Sequence, residues 1–97
     1  MPTPSTSSPS QEQTIRLGEW GPDVTGRSLG IVVRGEVLPH APEVVFDCSG
    51  VESISPSFAD ELFGKLAAQR ERPHIKIING SPDIIAAIRF AVRERSS

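Results

Sequence analysis

Tyrosine is absent from this chain of 97 residues, and cysteine, tryptophan and methionine occur once each. A single cysteine, Cys48, excludes an internal disulfide and any multi-cysteine metal site. With only His40 and His74 as histidines, no metal and no cofactor are predicted. Charge of one sign is also lacking: 10 Lys and Arg against 12 Asp and Glu leave a net charge of −2, which gives no footprint for nucleic acid. No apolar run approaches the ~20 residues of a spanning helix. The first residues have neither the basic start nor the apolar centre of a signal peptide, so the expected location is the cytoplasm, with no membrane partner. Glycine-rich phosphate loops of the Walker and dinucleotide-binding types are missing, and no internal repeat is evident. Asp47, Asp60 and Glu61 are the carboxylates nearest a plausible site, but nothing beside them completes an acid–base set, so an enzyme is not expected.

What is present divides at about residue 13. MPTPSTSSPSQEQ holds three prolines and four serines and no aliphatic residue beyond Met1, so residues 1–13 read as a disordered tail. Residues 14–97 then form one small domain. Thr14-Ile15-Arg16-Leu17 alternates polar and apolar before Gly18 and reads as a short edge strand. Trp20, between glycines, pins the following loop onto the core. LGIVVRGEVL has β-branched residues and a central glycine that suit a strand, yet Ser28 can cap a helix. Leu29, Val32, Val33 and Val37 then share one helical face, with Arg34 and Glu36 turned away. A parallel crossover between the flanking strands decides for a helix over residues 28–38. The competing reading is a hairpin strand over Gly30 to Arg34. Pro39 and Pro42 end the element and leave His40 in a loop.

The central stretch runs from Val44 to Leu66. Val44-Val45-Phe46 is a continuous apolar run that suits a strand buried on both faces, ending on Asp47 and the Ser49-Gly50 turn. Cys48 behaves there as a small buried hydrophobe. Ser55-Pro56-Ser57 precedes an apolar stripe at Phe58, Ala59, Leu62, Phe63 and Leu66, the pattern of a helix start. With Ser57 as the cap, Asp60 closes a capping box. With Ser55 as the cap, Pro56 takes the first helical position. Both starts satisfy the pattern, and either places a hydroxyl at a helix N-terminus beyond a core strand, a geometry that favours an anion. Gly64 allows close packing. A further strand follows over His74 to Asn79, and Ser81-Pro82-Asp83 opens a last helix with Ile84, Ile85, Ile88, Ala91 and Val92 on its apolar side. Arg89, Arg93 and Arg95 crowd its end, where cations suit the helix terminus, and Arg89 and Arg93 share a face that reads as solvated, with an anion or partner contact as the alternative. The order strand, helix, strand, helix, strand, helix predicts a small α/β domain with a mainly parallel sheet.

Asp47-x-Ser49-x-Val51-x-x-Ile54-x-x-Ser57, followed by SFADELFGKL, resembles the central segment of STAS domains, the anti-sigma-factor antagonist and sulfate-transporter superfamily. It is most similar to the STAS-like domains of unknown function, which carry Ser-Phe-x-Asp/Glu-Glu at this point. The resemblance covers most of the chain after about residue 14. It implies a regulatory module that docks a protein partner, a histidine-kinase-like ATPase of the anti-sigma type, through Asp47, Ser49, Ser55, Ser57, Asp60 and Glu61. Ser57 matches the phospho-acceptor of the switch motif. Ser55 and Pro56 depart from it, standing where the motif has Asp and Ser. In a version without phosphorylation, Asp60 and Glu61 are themselves the acidic contact. The alternatives are a sensor of a nucleotide or small ligand, held in the crevice near Asp47 and Asn79, and an accessory subunit that pairs through an edge strand.

Overall fold

The apolar run at Val44 becomes the middle strand of a parallel sheet, as its lack of polar alternation requires. The computed structural model describes residues 12–39, 42–70 and 73–96. Strand β1 (Glu12–Arg16) runs into a 3-10 turn (Leu17–Trp20), then β2 (Asp23–Val24) and helix α1 (Arg27–Arg34). Strand β3 (Glu43–Asp47) and the short β4 (Ser53–Ile54) lead to α2 (Pro56–Ala59), which widens into a π-helical segment (Asp60–Gly64) and tightens again as α3 (Lys65–Ala68). Strand β5 (His74–Ile78) and helix α4 (Pro82–Ser96) complete the order. The main sheet is ordered β1-β3-β5 and all parallel, and β2 pairs with β4 in a separate parallel pair. This is the α/β architecture that the alternation of elements predicts, with β1 at an edge.

Register assigns the faces. Ile15, Phe46 and Ile77 lie side by side across the three strands and belong to the core that the helices complete. Thr14, Val45 and Lys76 form the adjacent row and point to the opposite face, because side chains alternate along a strand. Phe58, Leu62, Phe63 and Leu66 are all buried as the helical stripe requires. Phe63 meets Phe46 edge to face with ring centroids 4.8 Å apart. Each such side chain contributes on the order of 1.5–3 kcal/mol by leaving water. Cys48 is buried, and burial, reinforced by Asp47, pushes its thiol up to about 11, so it behaves as a hydrophobe and not as a nucleophile. Trp20 packs on the core and pins its turn.

Several boundaries and faces differ from the sequence reading. Strand β1 begins at Glu12, inside the stretch assigned to the tail. Its Gln13 side chain donates to the Glu36 carbonyl at 2.7 Å and accepts from the Leu38 N–H at 2.8 Å, so Gln13 belongs to the domain. Residues 1–11 lie outside the described residues, as do His40, Glu71 and Arg72. The segment after Gly26 is a helix, but it is capped at Gly26 and not at Ser28, and it stops at Arg34. Val33 is buried, whereas Val32 is 54% exposed and Arg34 faces inward. Leu29 and Val37 pack against the core beside Val33, so the expected apolar side holds except at Val32, and next to it Gly30, Arg27 and Arg34 meet Glu61 of the central helix.

Candidate functional site

The loop between β3 and α2 is stapled at both ends. Asp47 Oδ1 accepts from the Ser49 N–H at 2.9 Å and from Asn79 Nδ2 at 3.0 Å, which ties the end of β3 to the end of β5. These donors, Asn79 first and Ser49 next, lower the Asp47 pKa from its ordinary value. The two side chains expected to line a ligand crevice are thus bonded to each other across it. Farther along, the Glu52 and Ser53 N–H groups reach the Pro22 carbonyl at 2.6 and 3.1 Å, and Ser53 Oγ donates to Asp23 Oδ1 at 2.6 Å. Behind the loop, the 3-10 turn passes so close that a Cβ on Gly18 would collide with the Ser49 carbonyl.

Ser55 is the helix cap, with Pro56 in the first helical position. Its Oγ accepts from the Phe58 N–H at 3.1 Å and from the Gly26 N–H at 3.0 Å. Gly26 can present that N–H because its φ of 91° is open to glycine. A hydroxyl oxygen has two lone pairs and one proton. With both Ser55 lone pairs engaged, its proton is directed to Ser57 Oγ, 3.2 Å away. Ser57 therefore accepts, and its own proton and second lone pair stay outside this network among the described residues. The capping box between Ser57 and Asp60 does not form.

Asp60 and Glu61 are not an acidic surface. Glu61 is 1% exposed and receives Arg27 Nη1 at 2.9 Å, Arg34 Nη2 at 2.7 Å and Lys65 Nζ at 3.0 Å. Arg34 Nε also donates to the Glu61 carbonyl at 3.0 Å, within the widened π turn. Asp60 is gripped by Arg95 through two bonds of 2.7 and 2.8 Å, and by Arg27 at 3.3 Å. The expectation of Glu61 as a partner contact is thereby corrected. Lys65, then Arg34 and Arg27, hold the Glu61 carboxyl at about 2, and Arg95, then Arg27, hold Asp60 at about 2. Four cations surround two carboxylates, so the cluster one turn beyond Ser57 has a positive surplus rather than the negative field that its sequence suggests.

Two glycines make this packing possible. A Cβ on Gly30 would lie 2.7 Å from Glu61 Cβ, and one on Gly64 would lie 2.8 Å from both Asp60 Oδ1 and Arg95 Cγ. Sequence reading missed Arg27, Gly30 and Arg34 as a unit, although their spacing places them on one helical face. The signal was a small residue between two arginines opposite an Asp-Glu pair.

The exposed surface of the loop is carried by Ser49, Glu52, Ser53 and Pro56, with Ser55 and Ser57 partly buried beside it. A family model described as a STAS-like domain of unknown function matches residues 30–84, which takes in Gly30, Arg34, the whole loop and Glu61 but not Arg27 or Arg95. No curated protein and no solved structure matches the chain.

Proposed function

The chain belongs to the STAS-like domains of unknown function, and from that membership we propose that it is a non-enzymatic regulatory docking module of the anti-sigma-antagonist kind, switched at Ser57. The observation that carries this reading is the hydrogen bond from Ser55 to Ser57. Ser55 stands where the switch motif has an aspartate, and its remaining proton fixes the Ser57 hydroxyl while leaving a lone pair free for phosphoryl transfer. A phosphate there adds about −1.5 to −2 charges. The cationic surplus around Asp60 and Glu61 offsets that charge within the domain, while desolvation and repulsion oppose docking at the loop. In the unmodified state Ser49, Glu52 and Pro56 are the exposed contacts for a histidine-kinase-like ATPase. No helix among the described residues is long and apolar enough to cross a membrane, and docking takes place in the cytoplasm.

The test is intact-mass spectrometry after incubation with ATP and a histidine-kinase-like ATPase of the anti-sigma type. Ser57→Ala and Ser55→Ala are run in parallel, with co-purification of each form. One added phosphate that vanishes in Ser57→Ala and slows in Ser55→Ala is expected, together with weaker co-purification of the phosphorylated form. Co-purification without any phosphate would remove the switch and keep the docking; neither phosphate nor co-purification sinks both.

A further inference from the structure

At the far side of the sheet β5 has no outer neighbour among the described residues. The His74 N–H bonds the Pro42 carbonyl at 2.8 Å, and the Cys48 N–H bonds the Ile78 carbonyl at 2.9 Å. Main-chain groups alternate in direction along a parallel ladder. His74, Lys76 and Ile78 thus bond toward β3, and Ile75 and Ile77 turn their N–H and C=O groups outward. Beside this edge an open groove of about 1070 Å3 runs between β5 and α4. Ile75 and Ile77 from the strand and Ile85 and Ile88 from the helix give it an apolar floor. Lys76, Arg89 and Arg93 also line it, and none of the three has an ion-pair partner among the described residues. No described carboxylate lines the groove. The neighbouring Glu43 lies 3.9 Å from the His74 ring.

We propose that the β5 edge docks an extended segment of a partner protein in which apolar and acidic residues alternate, taken up as an additional strand. The pleat dictates this pattern. Residues of the added strand on the helix side rest against Ile75, Ile77 and Ile85, and those on the other side face the Lys76 row of the sheet. Lys76 is the cation that meets the acidic row directly, whereas Arg89 and Arg93, on the helix side, favour an acidic segment only through the field along the rim of the groove. Charge selects the occupant. A second copy adding antiparallel by its own β5, about the central residue, sets Lys76 against Lys76, a like-charge pair that opposes association. Residues 1–11 contain three prolines and no acidic residue, so they match neither the ladder nor the charge.

The probe is a fluorescein-labelled, end-blocked heptapeptide of alternating Glu and Val, titrated into the full chain by anisotropy. Saturable binding is expected, weakened by roughly tenfold or more in the triple variant Lys76→Glu/Arg89→Glu/Arg93→Glu. N-methylation of alternate residues in one register abolishes binding, and in the other register spares it, because only one set of amides meets β5. Circular dichroism of the triple variant separates lost charge from lost fold. Equal binding of the Lys-for-Glu peptide overturns the proposal, as do equal effects of the two N-methylated sets or no binding to the folded native chain. So does a concentration-dependent dimer that Lys76→Glu strengthens or abolishes, which assigns the edge to a second copy.

Discussion

Gly30 and Glu61 meet backbone to side-chain root: the missing Cβ of the glycine is the space in which the carboxylate stem lies. Because Arg27 and Arg34 sit three residues before and four after that glycine, one helical face carries a gap flanked by two guanidinium groups. The carboxylate enters the gap and is held from both sides.

Gly30→Ala tests the gap. In an exposed helix the change would stabilise by up to about 1 kcal/mol through propensity. Here the new methyl meets the Cβ of Glu61, which cannot swing aside as a chain end could. Overpacking of this kind costs about 1–3 kcal/mol, so we expect net destabilisation of up to about 2 kcal/mol, read as a lower urea midpoint with unchanged slope. A midpoint at or above that of the native chain contradicts the packing described.

Acid sensitivity follows from the two depressed carboxyls. Glu61 is lowered from 4.5 to about 2 and Asp60 from 3.8 to about 2, so between those values the unfolded chain binds more protons than the folded one. Their contribution is full above about pH 5 and is lost as pH falls from 4.5 towards 2. Urea midpoints should hold level from neutral pH to about 5 and then decline. Glu61→Gln, which does not titrate, should be less stable at neutral pH and show a shallower acid decline. A parallel decline in the variant would place the acid sensitivity elsewhere.

Ser55 and Ser57 are distinguishable by stability alone. Ser55→Ala removes the cap bond to Phe58 and the bond from Gly26, and should cost about 1–2 kcal/mol. Ser57→Ala removes only an acceptor from a partly solvated hydroxyl, and should stay within about 0.5 kcal/mol of the native chain. Thermal or urea unfolding of the two variants decides it: equal losses would mean that the cap is shared.

Periodicity carried most of the fold. The apolar run at Val44, the stripe at Phe58 to Leu66 and the Ser81-Pro82 helix start are local patterns, and each formed where its pattern lies. The two-residue pair β2–β4 is too short to leave a pattern, and the π segment Asp60–Gly64 carries residues that suit an ordinary α-helix. The candidate loop was legible because serine, proline and glycine mark turns locally. The charge cluster was not, since Arg27, Arg34 and Arg95 lie far from Asp60 and Glu61 along the chain, and two adjacent acids near a helix start read naturally as solvent-facing. Val32, assigned to the buried side, is exposed, while Arg34, assigned to solvent, turns inward to Glu61, a partner 27 residues away that no local pattern reveals.

The strand order β1-β3-β5 also sets a timetable for synthesis. The strand that emerges first has no partner until the chain as far as Asp47 has left the ribosome, because every main-sheet bond of β1 is made to β3. Until then an edge with Ile15 and Leu17 beside it waits unpaired. The expected order of assembly therefore starts from β3 and the helix after it, with both outer strands adding later, and φ-values higher at Phe46 and Leu62 than at Ile15 and Ile77 are the check on it.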